Sequence, residues 1–395
     1  MSESTSPAAG AAGPTPHAAG PAPRTAGSES RTRVALVFGG RSGEHAISCA
    51  TAAGVLRALD REKYDVLPVG ITRSGQWVLV PDDPDALALR GDQLPEVGAA
   101  ASDVVLPMSD SSRDLTATEP GQLPVVLGEV DVVFPVLHGP YGEDGTLQGM
   151  LEMAQLPYVG SGVLASAVGM DKHYMKVVLA GHGLPIGPFT VISPRQWRTD
   201  RGAALDAVES LGFPVFVKPA RAGSSLGISR ITSADGLDAA VAEAQRHDPK
   251  VIVEAALEGR EIECGVLQGR GDASPRTALP GEIVVADHDF YDFESKYLGA
   301  GEVDLRCPAD LPDGVTQRVR DLAARAFEAL SCEGLARVDF FVTDSGAVTI
   351  NEINTMPGFT PYSMYPMMWD RSGVSYVELV DELIQLALER PVGLR

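Results

Sequence analysis

Basic residues are scarce in this chain. Its 395 residues include 32 Lys and Arg against 53 Asp and Glu, a formal net charge of −21. So acidic a surface repels phosphate backbones and anionic bilayers, which excludes nucleic acid and membrane surfaces as partners. A local basic pocket can still receive a small anion. Cysteine is scarce too. Cys49, Cys264, Cys307 and Cys332 lie far apart and none forms a CxxC pair. That spacing argues against a zinc site or a disulfide framework and points to a reducing cytoplasm. No stretch approaches the roughly 18 apolar residues of a membrane span, and no internal repeat is visible. Residues 1–30 are mostly Ala, Gly, Pro, Ser and Thr. They lack the apolar stretch of a signal peptide and read as a disordered tail.

What remains is ample for folding: 44% hydrophobic residues and a length that allows two or three domains. RVALVFGG (33–40) is a buried strand ending in a glycine turn, followed by a helix-like run from His45 to Leu59. YDVLPVGIT and VDVVFPVLHG (130–139) are further strands, and this alternation predicts a parallel α/β sheet. Residues 81–128, rich in Asp, Pro, Ser and Gly, read largely as an irregular insertion. A helix over 172–180 leads to a Gly/Pro boundary. FPVFVKPA (213–220), VIVEAAL (251–257) and REIECGVLQG are later strands. The predicted domains are 31–160, 161–254 and 255–395.

The segment RVDFFVTDSGAVTINEIN (337–354) carries the most chemistry. It reads as a hairpin with a two-residue turn at Ser345-Gly346. That turn sets Asp339 opposite Glu352 and Arg337 opposite Asn354, all on one face. Two facing carboxylates repel unless a cation lies between them. Asp, Glu and Asn are hard oxygen donors of the kind Mg²⁺ takes while it also holds substrate phosphates. An adjacent Arg suits an anionic substrate or intermediate. The alternative, a solvated charged face, fits poorly with apolar Val338, Phe340, Ile350 and Ile353 on the other side.

Other stretches are weaker alone. VKPARAGSSLGI places Lys218 at a strand end before a loop with Ser224 and Ser225, whose amides and hydroxyls suit phosphate oxygens. It is not a P-loop, and such loops are often ordinary turns. Glu254 and Glu261 in VEAALEGRE fit a strand edge that meets an adenine and a carboxylate that takes ribose hydroxyls, or a plain linker. His138 ends a strand in LHGPYGEDGTLQG, where open α/β sheets bind ligands, although a lone His is often structural. Glu44, in GGRSGEHAIS, is either a first-turn helix residue or a holder of a substrate ammonium. DFYDFESKYLGAGEVDLRCP (289–308) has the length and aromatic content of a lid, with Lys296 and Tyr297 as its functional candidates. Gly358 and Ser363, in MPGFTPYSMYP, offer an amide and a hydroxyl beside the hairpin.

Taken in order, these strings, with MDKHYMK, resemble the D-alanine–D-alanine ligase family of ATP-grasp enzymes, from Val34 to beyond Met368. The resemblance implies a three-domain fold, α/β with an N-terminal parallel sheet, α+β in its ATP-grasp part, and nucleotide held between two lobes. It implies ATP and two Mg²⁺ (or Mn²⁺) ions bound by Asp339, Glu352 and Asn354. Lys172 and Lys218 would contact ATP phosphates, Ser224 and Ser225 would line the same site, Glu254 and Leu257 would meet adenine, and Glu261 the ribose. Lys296 would reach the γ-phosphate. Glu44, Ser224 and Tyr297 would form a hydrogen-bonded triad holding the first D-alanine's ammonium, with His138 near that substrate. Arg337 and the Gly358 amide would stabilise an oxyanion, and Ser363 would take the second D-alanine's carboxylate. Ala255 stands where some members carry a lysine, which leaves the detail of adenine contact open.

The implied activity is ATP-dependent ligation of two D-alanines through a D-alanyl phosphate, for peptidoglycan precursors, in a cytoplasmic homodimer. Two alternatives come from the same family: joining D-alanine to D-lactate or to D-serine. The tyrosine in SKYLG resembles the dipeptide-forming type. A third, a non-catalytic nucleotide-binding regulator, is disfavoured by the intact set of Asp339, Glu352, Asn354, Lys218 and Lys296.

Overall fold

The computed structural model describes residues 31–89, 94–107, 112–285 and 303–391. The predicted tail and the predicted lid residues Lys296 and Tyr297 lie outside them. The first sheet is built on β1 (Thr32–Gly39), an almost unbroken apolar run that is buried along its length. Such a strand needs cover on both faces, which parallel sheets with crossover helices provide. β1 pairs in parallel with β2 (Tyr64–Ile71) on one side. On the other it pairs with a later strand, Val132–Pro135. The short β3 (Trp77–Leu79) adds an antiparallel edge to β2. Helix His45–Ala58 packs against the sheet with every residue but Arg57 buried.

The predicted irregular insertion is a correction. It contains a three-stranded antiparallel sheet of β4 (Asp103–Val105), β5 (Asp114–Thr118) and β6 (Val125–Glu129), before β7 (Val132–Pro135). Its strands are only three to five residues long, so alternation gave little signal. Leu115 and Leu127 still face the core beneath the first sheet.

The middle of the chain forms a second antiparallel sheet of β8 (Phe189–Ile192), β9 (Val215–Pro219), β10 (Ser229–Ile231) and β11 (Val251–Ala255), in the order β10-β9-β11-β8. The third sheet holds β12 (Arg260–Leu267), β13 (Arg276–Thr277), β14 (Gly281–Val285), β15 (Val303–Arg306), β16 (Leu335–Val342) and β17 (Val348–Asn354), ordered β15-β14-β12-β16-β17 with β13 beside β12. β15 is a second correction, because the predicted lid loop ran through 308 and its last part is a strand paired with β14.

Two packings cross the chain order. Helices Val163–Met170 and Lys172–Gly181 share a core with the third sheet and helix Asp313–Ala329. The final helix, Tyr376–Glu389, returns to the first sheet, where Leu379, Leu383 and Ile384 join Val34, Leu36 and Phe38. Tyr64 donates its hydroxyl to Asp381 at 2.8 Å across that seam.

Candidate active site

The hairpin of β16 and β17 brings Asp339 opposite Glu352 and Arg337 opposite Asn354, as predicted. The turn that does so differs from the expectation. Thr343 pairs with Ala347, leaving Asp344, Ser345 and Gly346 in the loop. Beyond it Val342 faces Val348 and Phe340 faces Ile350, one residue out of the predicted register. A register shift between Asp339 and Phe340, with Asn351 as the extra residue, restores the pairing at Glu352. The same bulge turns Ile350 into the core. Strict alternation from Glu352 would have put it on the polar face.

Arg337 forms a fork on Asp339 (2.7 and 2.8 Å) and reaches Glu263 on the adjacent β12 at 3.2 Å. Asn354 donates to the same Asp339 carboxylate at 2.9 Å. Glu352 pairs with Lys172 at 3.2 Å. Asp171 caps the helix that carries Lys172 by accepting from the His173 and Tyr174 amides, so the lysine stands at the first helical position. A cation there opposes the helix dipole. Burial depresses the Lys172 ammonium, and Glu352 with Glu254 more than reverses this, raising its pKa overall. Lys172 also donates to the Ala222 carbonyl at 3.1 Å.

The glycine loop after β9 faces this hairpin. Ser224 and Ser225 both hold left-handed backbone, with φ of 50° and 58°. Non-glycine residues hold such values only where the surroundings impose them, often at ligand sites. Ser224 donates its hydroxyl to Glu44, the residue that precedes helix His45–Ala58. The Glu44 carboxylate lies against Gly139, where an added Cβ would sit 2.7 Å from Oε2 at φ 74°. Glycine is needed there on both counts. Lys218, at the end of β9, pairs with Glu254 on β11 at 2.6 Å. Lys176, one helical turn after Lys172, pairs with the other oxygen of Glu254 at 2.8 Å. Burial alone would raise the Glu254 carboxyl, and the two ammonium groups hold it well below the usual range.

His138 is buried and uses both ring nitrogens on protein atoms. Nδ1 donates to the Met356 carbonyl at 3.2 Å and Nε2 lies 3.4 Å from the Thr51 hydroxyl. Burial lowers its pKa against the pull of Glu44, so the ring is neutral. Glu143 escaped the sequence reading although it lies in a highlighted string. It accepts from the Gly139 amide at 2.7 Å. Burial, then the neighbouring Glu44, push its pKa up to about 8. Lys176 escaped as well, since nothing local distinguishes it from a surface helix lysine.

The remaining candidates are less tightly tied. Gly358 is half-buried, and Ser363 lies 2.8 Å from the Thr360 hydroxyl. Leu257 packs near Gly187, and Glu261 is exposed on β12 between Ile283 and Phe341. Among the described residues no group of three or more His, Cys, Asp or Glu side chains could hold a metal. Two facing carboxylates and an amide remain, which suits a hard cation whose other ligands are water and phosphate oxygens.

Comparison with known proteins agrees along most of the chain. The family models described as D-ala D-ala ligase N-terminus and C-terminus match residues 33–161 and 178–385. A D-alanine–D-alanine ligase of Kineococcus radiotolerans is 62% identical over 372 residues, 92% of this chain and 99% of that protein. Among solved structures, VanG D-Ala:D-Ser ligase from Enterococcus faecalis superposes with a TM-score of 0.77 at 34% identity, covering 91% of this chain and 100% of that one. The D-alanine-D-alanine ligase from Coxiella burnetii gives 0.74 at 35% identity, covering 91% and 94%.

Proposed function

The chain belongs to the D-alanine–D-alanine ligase family, and from that premise we propose how its residues share the reaction. It is an ATP-dependent ligase that joins two D-alanines to D-alanyl-D-alanine, a precursor of peptidoglycan, and releases ADP and phosphate. A carboxylate oxygen of the first D-alanine attacks the γ-phosphorus and ADP departs. The amine of the second then attacks the acyl carbon of the D-alanyl phosphate, and phosphate leaves as the nitrogen loses its proton.

Glu44, oriented by Ser224, holds the first ammonium. Lys172 and Lys218 neutralise the phosphates during transfer, and the loop at Ser224 and Ser225 lines them. Glu254 and Leu257 face the adenine and Glu261 the ribose. Arg337 and the Gly358 amide take the charge that develops on the tetrahedral oxygen. Ser363 receives the second carboxylate. Asp339, Glu352 and Asn354 would hold two Mg²⁺ (or Mn²⁺) ions, which supply Lewis-acid neutralisation of the phosphate oxygens. Lys296 and Tyr297, outside the described residues, are assigned to the lid by resemblance alone.

The observation that carries this reading is the facing pair Asp339 and Glu352, with Arg337 on one and Lys172 on the other. The domains 31–160, 161–254 and 255–395 serve as amino-acid wall, nucleotide lobe and metal lobe. No helix among the described residues is long and apolar enough to cross a membrane. A cytoplasmic homodimer is part of the proposal.

Phosphate release with ATP and Mg²⁺, with products weighed, tests the assignment. D-alanine alone should support turnover and yield the dipeptide, and L-alanine should not. Turnover only when D-lactate or D-serine is added would overturn the choice of second substrate.

A further inference from the structure

Lys176 is 2% exposed, yet it belongs to neither the phosphate-facing nor the amino-acid-facing set. A buried ammonium is costly unless its donors are all met, and an apolar side chain of similar length would fill the same space. Its contacts say what it does. Nζ pairs with Glu254 at 2.8 Å and donates to the carbonyl of Asn351 at 3.1 Å. Asn351 is the extra residue of the bulge in β17. Its peptide leads directly into Glu352. Without the bulge Glu352 would not face Asp339, because a one-residue slip turns a strand's side chains to the opposite face.

We propose that Lys176 is a positioning residue: it pins the bulge at Asn351, thereby holding Glu352 opposite Asp339, and ties that register to the nucleotide-side carboxylate Glu254. The inference rests on the reading of Asp339 and Glu352 as metal carboxylates. Lys172, four residues earlier on the same helix face, neutralises the Glu352 side chain itself. Lys176 acts on the backbone behind it. The two lysines thus divide the work between charge and register.

The test is the factor by which Mg²⁺ strengthens ATP binding, measured by titrating ATP into the whole protein in EDTA and again in excess Mg²⁺. K176M keeps the apolar stem and removes the cation and its donors. Its Mg²⁺ factor should fall by about 10- to 100-fold, the usual cost of losing a group that orients a metal ligand. K176R, which keeps charge and donors, should recover most of it. General loss of stability would weaken both titrations alike and leave the ratio unchanged. If K176M does not fold, K176Q, a neutral donor on a shorter stem, is measured instead with the same two outcomes. E352A is the control. A wild-type Mg²⁺ factor in E352A would mean that the metal reading itself is wrong. A factor lost in E352A but intact in the Lys176 variant would overturn the positioning role alone.

Discussion

The two walls of the site are held in different ways. The C-terminal wall is a pair of antiparallel strands, on which Arg337, Asp339, Glu352 and Asn354 meet through backbone register and direct side-chain pairing. The N-terminal wall is a set of loops at the ends of parallel strands, where Glu44 depends on a hydroxyl 180 residues away and on a glycine that leaves room for it. Charges on the strand wall are fixed before any substrate arrives, the arrangement expected of groups that meet developing charge. Charges on the loop wall are brought together from segments far apart in the chain, which suits groups that capture a substrate. The strand wall should therefore govern turnover, and the loop wall the apparent affinity for D-alanine.

The sharpest way to break that division is Arg337→Ala. Losing one oxyanion donor costs on the order of 10²–10³ in rate, so kcat should fall at least that far while KM for D-alanine changes little. The substitution removes an ion-pair partner from Asp339 and Glu263, so the variant also loses stability and is assayed below its lowered melting point. A near-wild-type turnover would remove Arg337 from the mechanism. Glu44→Gln comes next. Hydrogen bonds to charged groups are worth about 1.5–3 kcal/mol, or roughly 10- to 150-fold, and that loss should appear in KM for D-alanine. A drop confined to kcat would contradict the division of walls. Ser224→Ala removes one hydrogen bond from Glu44 and should raise the same KM by about 2- to 10-fold.

A separate effect, on stability and not on the division of walls, concerns Glu143, whose carboxyl is raised to about 8 in the folded protein. The folded form binds a proton more readily than the unfolded chain, so Glu143 contributes stability that is complete below its ordinary carboxyl value and is lost as pH rises through about 8. Glu143→Gln, always neutral, should flatten the decline in melting temperature between pH 5 and 8. An unchanged slope would show that Glu143 titrates elsewhere.

The same contrast explains what could be seen in the sequence. Asp339, Glu352, Arg337 and Asn354 were legible because alternation along a hairpin is local and periodic. The bulge at Asn351 was not, since its partner Lys176 lies 175 residues earlier and the miscounted turn hid the shift. The parallel strands showed themselves by unbroken apolar runs. The sheet at 103–129 did not, because strands of three to five residues are too short for a period to emerge. The return of helix Tyr376–Glu389 to the first sheet is likewise a fact of tertiary packing. Glu44, His138 and Ser224 stood out locally as candidates, and their specific roles came from resemblance. Only the folded chain gives the Ser224–Glu44 hydrogen bond and the full engagement of the His138 ring.

In the proposed reaction the chain activates a carboxylate as an acyl phosphate. The direct test supplies D-alanine labelled with ¹⁸O in its carboxylate and weighs the phosphate released during dipeptide formation. Transfer of one ¹⁸O from the carboxylate to each phosphate is the predicted result. Unlabelled phosphate, formed at the same rate as dipeptide, would contradict it.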